Sequence, residues 1–502
     1  MHIKYAWYVW NGSFSSWLGE EAKQETKRGS WRGVRWSRRR RRRAEMELRD
    51  EYQKLVHVMM NTPRVAIDNA VSPTATVVKV NSARKRGMLL EAVQVLTDLD
   101  LSIQKGYISS DGCWFMDVFH VTDESGHKLL DPALLSRIER TLGGETLLAT
   151  DGADCQDGSG LAGLTAMELT GTDRPGLLSE VFAVLRDLEC NVVEAKVWTH
   201  NTRIASLIFV KDLHSGSPIE DGQRVHRIES RLRHVLRGDH DVRSAKTTVS
   251  SPTLTHSDRR LHQLMFADRD YERVSSTGYQ ASSSSSQSKP SVSVQNCEER
   301  GYSVVNVQCC DRPKLLFDVV CTITDMDYVV FHGTLGVDAD RAYQEFYIRH
   351  IDGGPISSEA ERLRVIQCVQ AGIERRASEI SAQIKQGVWL ALSMPDRRGL
   401  LAEVTRIFRE NGLSVRRAEI TTRDGEAKNE FCVTDTGGQP PDCCAIHSVI
   451  EKIGEEHLTL NEQKAPWSCA RQPPAAEAVG AFNLGNLVKR NLYYLGLVRS
   501  CS

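Results

Sequence analysis

The sequence predicts an α+β protein built from four ferredoxin-like βαββαβ units in tandem, with antiparallel sheets and with the helices on one face. The first observation is a pattern that recurs four times: an apolar strand, a charged turn, a Leu-Leu pair and a helical stripe. The second is that two further extended segments and a second helical pattern follow each copy. An internal repeat determines the fold before any single motif is weighed. This order of elements is that of the split βαβ unit.

The charged turns lead into the first helix of each unit. In the second copy, Leu178, Val181, Phe182 and Leu185 fall at helical spacing and form one apolar stripe. The same pattern predicts helices over residues 89–99, 177–188, 315–326 and 400–411. The turns before them read Arg86-Gly87, Asp173-Arg174-Pro175-Gly176, Asp311-Arg312-Pro313-Lys314 and Asp396-Arg397-Arg398-Gly399.

The second half of each unit begins with a hairpin. Asp111-Gly112 in the first copy and Asp424-Gly425 in the last stand between two extended segments, and Asp-Gly is a strong hairpin signal. A second helix is predicted over residues 223–236 in the second copy and 358–377 in the third. We expect neighbouring units to associate side by side through sheet edges or helices.

The repeat divides the chain into four units joined by irregular segments. Unit 1 is predicted at residues 75–150, unit 2 at 164–249, unit 3 at 302–380 and unit 4 at 387–462. Residues 46–74 form an N-terminal segment, and residues 463–502 form a tail. Between units 2 and 3, residues 250–300 are predicted to hold an amphipathic helix, which would cover a sheet face or recruit a partner, and a serine-rich linker.

Residues 1–45 lie outside the repeat and carry 12 Lys or Arg against 4 Glu, including six consecutive arginines, Arg38 to Arg43. One interpretation is a disordered basic arm that acts as a nuclear localisation signal or contacts phosphates. The other is an extension of the gene model upstream of a natural start at Met46. A cytoplasmic location is predicted, or a nuclear one if the arm is real.

Composition points to a chain without membrane or metal chemistry. Its formal net charge is −1, its mean hydropathy is −0.36, and no run of about 18 apolar residues occurs. The thirteen cysteines are scattered and no Cys-x-x-Cys is present, so reduced thiols are expected. We predict no cofactor, no metal site and no transmembrane segment, and nucleic acid is an unlikely partner.

The recurring turn resembles that of the ACT domain, a small regulatory module named after enzymes of amino-acid metabolism. The resemblance rests on the Asp-Arg-Pro-Gly-Leu-Leu turn at residues 173–178 and on the strand Asp-Val-Phe-His-Val-Thr-Asp at residues 117–123. Four such copies are similar to the plant ACT-domain repeat proteins, from about Met46 to the C-terminus. The resemblance implies binding of a free amino acid, a regulatory role and a regulatory protein partner, with no catalysis.

Physical chemistry supports a carboxylate site at these turns. A helix N-terminus presents unpaired N–H groups and a partial positive charge. Gly176 and Gly399 would allow a ligand to approach the backbone closely. Asp173 and Asp396 are placed to help hold the ammonium group of an amino acid.

In the ACT family, ligands lie between paired domains, against this turn and the start of the following strand. Carried over to this sequence, the resemblance gives two groups of binding residues, one in unit 2 and one in unit 4. They are Asp173, Arg174, Pro175, Gly176, Leu177 and Leu178 with Asn191, Val192 and Val193, and Asp396, Arg397, Arg398, Gly399, Leu400 and Leu401 with Asn411, Gly412, Leu413 and Ser414.

Other interpretations of the turn and of the whole chain remain open. An Asp before a helix is a common N-cap and Pro is favourable at a first helical position, so the turn could recur only because it starts a helix well. Units 1 and 3 would then be structural partners, because unit 1 lacks the Asp-Arg-Pro triplet and Lys314 would crowd the site. The predicted function is a non-catalytic amino-acid sensor; the alternatives are a ligand-free interaction scaffold and, as the weakest, a uridylyltransferase-like enzyme.

Overall fold

The computed structural model describes residues 64–83, 87–111, 114–143, 163–237, 245–250, 256–272, 290–381 and 387–461. The predicted basic arm, the serine run at residues 282–286, the tail and most of the 46–74 segment lie outside the described residues. No helix in the described ranges is long and apolar enough to cross a membrane.

The elements follow the predicted repeat closely. The four helices predicted after the charged turns each begin and end within one residue of the predicted bounds. The helices are α1 (Met88–Asp98), α2 (Pro132–Leu142), α3 (Leu177–Asp187), α4 (Gly222–Arg237), α5 (Ser257–Ala267), α6 (Leu315–Asp325), α7 (Glu359–Ser381), α8 (Leu400–Glu410) and α9 (Cys443–Ile453). The strands are β1 (Arg64–Asp68), β2 (Thr76–Ala83), β3 (Ser102–Asp111), β4 (Trp114–Thr122), β5 (Thr165–Thr172), β6 (Cys190–His200), β7 (Arg203–Asp212), β8 (Lys246–Ser250), β9 (Ser291–Cys297), β10 (Tyr302–Cys310), β11 (Tyr328–Asp338), β12 (Arg341–His350), β13 (Val388–Pro395), β14 (Leu413–Arg423), β15 (Glu426–Asp435) and β16 (Leu458–Leu460).

The sixteen described strands form two antiparallel sheets that each join two units. One sheet has the order β1-β2-β4-β3-β11-β12-β10-β9 and joins units 1 and 3. The other has the order β16-β13-β15-β14-β6-β7-β5-β8 and joins units 2 and 4. The expectation that neighbouring units associate is therefore wrong for the sheets, because alternate units pair.

The second strand of each unit makes this junction. In units 1 and 3, Lys105–Ser109 of β3 pair antiparallel with His332–Gly336 of β11. In units 2 and 4, Glu194–Trp198 of β6 pair with Arg417–Thr421 of β14. This strand is the edge of a ferredoxin-like sheet, and an edge strand presents unpaired N–H and C=O groups. The pairing removes that edge from all four units.

The prediction of ferredoxin-like units is confirmed, but the fourth strand has two origins. In units 2 and 4 it follows the second helix, as β8 and β16, and lies beside the first strand. In units 1 and 3 the same place is taken by β1 and β9, which precede the first strand. Residues predicted as an N-terminal segment and as part of a linker thus complete the sheets of units 1 and 3.

A β-bulge interrupts the second strand of every unit at the same place. The register shifts next to Gln104, Val193, Phe331 and Arg416, each two or three residues after the strand begins. A bulge changes the direction of the strand and turns its side chains, and bulges are frequent beside binding sites. The repeat therefore includes this irregularity as well as the regular elements.

Helices cover one face of each sheet, as predicted. One hydrophobic core lies between helices α3, α4, α8 and α9 and the sheet of units 2 and 4. A second lies between helices α1, α2, α6 and α7 and the sheet of units 1 and 3. The hydrophobic effect, at about 25 cal/mol per Å² of buried apolar surface, is the main stabilising contribution of such cores.

Helix α5, predicted as an amphipathic helix between units 2 and 3, covers the opposite face of the second sheet. Leu261 and Met265 are buried against Trp198, Leu207 and Phe209. The other side of α5 contacts α6 of unit 3. The helix is therefore the layer between unit 3 and the sheet of units 2 and 4.

Asp117 of β4 is buried at a position that is polar in all four units. Asp117 pairs with Ile108, which lies three positions beyond the first pair that follows the bulge. In the other units the residues at the same register position are Ser206, Gln344 and Asn429. All four side chains are buried on the helix-covered face. Neither oxygen of the Asp117 carboxyl makes a hydrogen bond of good geometry among the described residues. Burial raises its pKa well above the usual range, and the N–H of Ser109 only partly opposes this.

Replacing Asp117 by Asn is expected to raise the melting temperature at pH 7.5, because the amide carries no charge to bury. Since the folded-state pKa is raised, the wild-type gains stability as the pH falls toward the unfolded pKa of about 4. The difference between the two proteins should therefore shrink between pH 7.5 and pH 5 in thermal melts. An equal Tm difference at both pH values would show that Asp117 has no raised pKa.

Candidate functional site

The four charged turns place one residue in the left-handed conformation just before each helix. Gly87, Gly176 and Gly399 have φ of 83°, 82° and 80°, and Lys314 has φ of 63°. Glycine adopts this conformation without the steric cost that a side chain adds. The turn motif is therefore a backbone device, and unit 3 forms it with a lysine.

The helix N-termini of units 2 and 4 are not capped by the aspartates. Asp173 and Asp396 lie three residues before the N-cap glycines, and each accepts a backbone hydrogen bond from the next residue of the turn instead. No N-cap side chain makes a capping bond at these helices. The N-cap interpretation of the turn is wrong.

Several first-turn N–H groups remain available. Leu177 and Leu400 donate to the turn carbonyls of Arg174 and Arg397 at 3.1 and 3.0 Å. Within the part of the chain that the structure describes, the N–H groups of the next two residues have no acceptor; they belong to Leu178, Ser179, Leu401 and Ala402. These groups can hold an anion.

In units 2, 3 and 4 the arginine of the turn fixes the turn to its own helix. Arg174 Nη1 donates to Glu180 Oε1 at 2.9 Å, and Arg397 Nη2 lies 2.6 Å from Glu403 Oε2. In unit 3, Arg312 Nη1 lies 2.8 Å from Asp318 Oδ2. The spacing is six residues in each case. Arg174 and Arg397, predicted as binding residues, thus have a structural partner.

The turns of units 2, 3 and 4 each form a cleft with the other unit of the pair. The unit-4 cleft joins the turn Asp396–Leu401 to Cys190, Asn191 and Val192 at the start of β6, and its volume is about 40 Å³. The unit-2 cleft joins the turn at residues 173–178 to residues 413–415 at the start of β14, and its volume is about 10 Å³. The family resemblance groups each turn with the strand of its own unit, whereas the structure places the turn against the strand of the partner unit.

Three of the predicted residues lie away from the clefts. Asn411 accepts hydrogen bonds from Ser448 and Lys452 and belongs to the contact between α8 and α9. Gly412, with φ of 74°, ends α8 in the left-handed conformation. Val193 is the bulged residue of β6 and packs in the cluster beneath α5. An Asn-Gly pair after a helical pattern is itself a helix-end signal.

Sequence reasoning missed two arginines that cover the glycines. A Cβ on Gly399 would lie 3.0 Å from Cδ of Arg186 in unit 2, and a Cβ on Gly176 would lie 2.6 Å from Cδ of Arg409 in unit 4. Each arginine stands ten residues after the turn glycine of its own unit. The space that each glycine leaves beside the backbone is therefore occupied by an arginine side chain of the partner unit.

The two clefts differ in the state of their aspartates. Arg416, the bulged residue of β14, donates from Nη1 to Asp173 Oδ2 at 3.0 Å. The equivalent bulged residue of β6 is Val193, so Asp396 has no matching arginine. Burial raises the pKa of both carboxyls, and Lys211 opposes the effect at Asp396 only through its charge. The unit-2 cleft is closed by its own ion pair, whereas the unit-4 cleft is not.

A third cleft lies between the turn of unit 3 and the start of β3 in unit 1. It has a volume of about 40 Å³ and is lined by Asp311, Lys314, Ser102 and Gln344 among others. Lys314 was expected to crowd this site, but its Nζ lies 3.6 Å from Asp258 of α5, which draws the ammonium group toward that helix.

Two family models match the chain. The N-terminal ACT domain of the ACR family matches residues 71–148, and the ACT domain matches residues 388–442. The ACT domain-containing protein ACR8 of Arabidopsis thaliana is 56% identical over 456 residues, which cover 90% of this chain and 98% of that protein. The chain belongs to the plant ACT-domain repeat proteins.

Two further relatives have the same extent. ACR4 of Arabidopsis thaliana is 48% identical over 461 residues, covering 91% of this chain and 99% of the relative. ACR6 of the same plant is 50% identical over 421 residues, covering 83% and 92%. This chain is thus a regulatory ACT-domain protein, and units 1 to 4 are its ACT units.

Buried ion pairs around α5 connect ACT units 2 and 3. Asp258 of α5 lies 2.9 Å from Lys196 of β6 and 3.0 Å from Arg376 of α7. Arg376 also contacts Asp318 of α6 at 2.9 Å, and that carboxylate accepts from Nε2 of His262 at 2.8 Å. The positive partners hold the pKa of Asp258 and Asp318 well below the usual range, although burial opposes this.

His262 is neutral in this network. Arg375 Nη1 lies 3.0 Å from Nδ1 of His262, and because a guanidinium only donates, Nδ1 accepts. Nε2 therefore carries the proton that is donated to Asp318. Burial lowers the pKa of His262, which agrees with this tautomer.

His200 joins unit 2 to unit 3 at the end of β6. Its Nδ1 lies 3.0 Å from Asp270 and its Nε2 lies 3.3 Å from Glu374 of α7. Burial alone would lower the pKa of His200, but the two carboxylates raise it above the usual value. The imidazolium form is therefore favoured in the folded protein.

We expect His200→Gln to destabilise the protein by about 1 kcal/mol near pH 6 and by less near pH 9. A histidine with a raised folded-state pKa stabilises most below its unfolded pKa of about 6.5, and the contribution is lost as the pH rises through the folded-state value. Denaturant melts at both pH values measure this. The exposed His447→Gln is the control, and an equal effect of His200→Gln at both pH values would contradict the assignment.

The thiol of Cys190, which lines the unit-4 cleft, is expected to react slowly. Burial raises its pKa to about 11, so at pH 8 roughly one thiol in a thousand is ionised. Iodoacetamide labelling followed by mass spectrometry should modify the exposed Cys444 well before Cys190. Equal labelling rates in the folded protein would refute the raised pKa.

Proposed function

We propose that this regulatory protein binds a free amino acid, without catalysing a reaction, in the unit-4 cleft. An α-amino acid requires donors for its carboxylate and a negative group for its ammonium. The unit-4 cleft offers both, because the N–H groups of Leu401 and Ala402 have no acceptor among the described residues and Asp396 has no arginine partner there. This combination is the observation that carries the proposal.

The charge of Asp396 favours a cationic group beside it. Burial raises the pKa of this half-buried carboxyl, and the N–H of Arg397 and the charge of Lys211 oppose the effect only in part. An ammonium group within about 4 Å would favour the ionised form and lower the pKa. The unit-2 cleft has no such need, because Arg416 already supplies the positive charge to Asp173.

Binding in the unit-4 cleft requires Arg186 to move. A volume of about 40 Å³ accommodates roughly three waters, which is less than an amino acid needs. The alkyl chain of Arg186 lies on Gly399, while its guanidinium makes only an exposed contact with Asp187 at 2.9 Å. Exposed ion pairs of this kind contribute at most about 1 kcal/mol, so the side chain can leave at low cost.

Regulation follows from the position of the cleft between two units. A ligand that contacts the turn of unit 4 and the strand of unit 2 favours one arrangement of the pair by its differential affinity for that arrangement. β6, which begins at this cleft, continues to Lys196 and to His200, where it contacts α5 and unit 3. A structural change at the cleft can therefore be transmitted along β6 and through its ion pairs to the other pair of units.

The resident side chains of this cleft also favour binding over catalysis. Its thiol, that of Cys190, is protonated at neutral pH, because burial raises its pKa to about 11. A protonated thiol is a poor nucleophile. The remaining lining groups are backbone N–H groups, an amide, an aspartate, three arginines and apolar side chains.

A thermal-shift screen of the full chain against the twenty amino acids tests the proposal. A ligand at ten times its Kd adds about 1.4 kcal/mol to the folded state, which raises Tm by several degrees. We expect Gly399→Val to abolish the shift, because the side chain fills the space against the turn. Gly176→Val is the matched control: it imposes the same left-handed strain at the equivalent turn and should retain the shift.

Two further variants separate the steps of the argument. Asp396→Asn should weaken binding at least tenfold, whereas Asp173→Asn should leave it unchanged. Arg186→Ala should strengthen binding if the arginine must be displaced. The absence of a shift with any amino acid at millimolar concentration would favour the ligand-free scaffold, and loss of the shift in Gly176→Val alone would place the ligand in the unit-2 cleft.

A further inference from the structure

Helix α4 of unit 2 exposes a stripe of one charge sign. Ile228, Leu232 and Leu236 are buried against the sheet. The solvent-exposed residues of α4 recur every three or four positions, and none of them is acidic, aromatic or aliphatic. This cationic stripe consists of Gln223, His226, Arg227, Ser230, Arg231, His234 and Arg237.

The arginines of the cationic stripe are not paired. Arg227, Arg231 and Arg237 have no carboxylate within ion-pair distance among the described residues. Some exposed arginines on other helices do have one, since Arg362 lies 2.5 Å from Glu359 and Arg406 lies 3.6 Å from Glu410. The carboxylates of the described residues therefore leave the positive charge of the stripe uncompensated.

The fold does not require this charge pattern. The equivalent helices of units 1 and 4 expose both signs, with Glu139 beside Arg140 on α2 and with Glu451 beside Lys452 on α9. The equivalent helix of unit 3 begins with the Glu359–Arg362 pair. Since the same helix in the same fold carries acidic as well as basic residues in the other three units, the stripe on α4 calls for an explanation other than folding.

We propose that the cationic stripe of α4 binds an acidic polypeptide segment of a partner protein. Arg227 and Arg231 are one helical turn apart, about 6 Å, and the distance along the axis from Arg227 to Arg237 is about 15 Å. Carboxylates at positions i and i+4 of an acidic helix have the same spacing. An open concavity of about 640 Å³ is lined by this stripe, so a second chain can lie along it.

The composition of the stripe disfavours the other polyanions. An anionic membrane surface is bound through apolar side chains that enter the lipid as well as through charge, and the stripe has none. Single-stranded nucleic acid is held by aromatic stacking over a broad basic surface, whereas this stripe has no aromatic residue and lies on one face of a single helix.

Fluorescence anisotropy with the full chain and a fluorescein-labelled 16-residue polyglutamate peptide tests the proposal. We expect saturable binding at 50 mM salt that weakens as salt rises, because exposed charges are screened. Arg227→Glu/Arg231→Glu should weaken binding at least tenfold. The matched control, Arg137→Glu/Arg140→Glu on α2, makes the same charge change on the equivalent helix and should leave binding unchanged.

The arginine run at residues 38–43 could also attract the peptide, so each measurement is repeated with these six residues replaced by glutamine. The difference between the stripe variant and the α2 control must persist in that background. Circular dichroism melts establish that both double variants are folded. Equal losses of binding in the two variants, or no binding at 50 mM salt, would overturn the proposal. It would also be overturned if a 16-nucleotide single-stranded RNA or phosphatidylserine vesicles bound more tightly than the peptide.

Discussion

The antiparallel pairing of second strands from alternate units is the constraint on which the rest of the structure depends. It continues the sheet of unit 2 into unit 4 and that of unit 1 into unit 3. The same pairing brings α3 beside α8 and α1 beside α6, since these helices cover the same sheet face. Every cleft described above is a consequence, because a turn of one unit faces the strand start of the other only in this arrangement.

Helix α5 and its buried charges determine how the two pairs meet. Asp258, Asp318 and Asp270 are almost fully buried, and each has at least one buried arginine partner. Buried ion pairs add little net stability over apolar packing, but removal of one member costs about 3–5 kcal/mol because it leaves an unpaired charge. We infer that the network selects one contact between the pairs, and that it ties the turn of unit 3 to the strand that forms the unit-4 cleft.

The sequence predicted the local structure well because the repeated signals are local. Helical spacing after the turn placed α3 and α8 within one residue, and Asp424-Gly425 forms the hairpin turn that the pair predicts, with both φ values positive. The partner of each unit could not be predicted, since any of the four second strands offers the same unpaired edge. Because the pairing could not be predicted, the turn of unit 4 was assigned to Ser414 of its own unit, although in the structure it lines a cleft with Asn191 of unit 2.

One signal in the sequence does indicate the cross-unit contact in retrospect. Arginine occurs ten residues after the turn glycine in units 2 and 4, whereas unit 1 has Thr97 and unit 3 has Thr324. A residue at that offset lies at the end of the first helix and cannot reach its own turn at the helix start, some 15 Å away. It can only contact the turn of a partner, so the shared arginine marks units 2 and 4 as a pair.

The same reasoning explains why a repeated motif need not give a repeated site. The glycine, the following N–H groups and the aspartate are common to units 2 and 4, yet the residue that faces the aspartate comes from the bulge of the other unit. Where that residue is Arg416, the positive charge is already present in the protein; where it is Val193, it is missing. Pairing of alternate units thus lets one copy of the turn be neutralised internally while the other retains a charge that a ligand can satisfy.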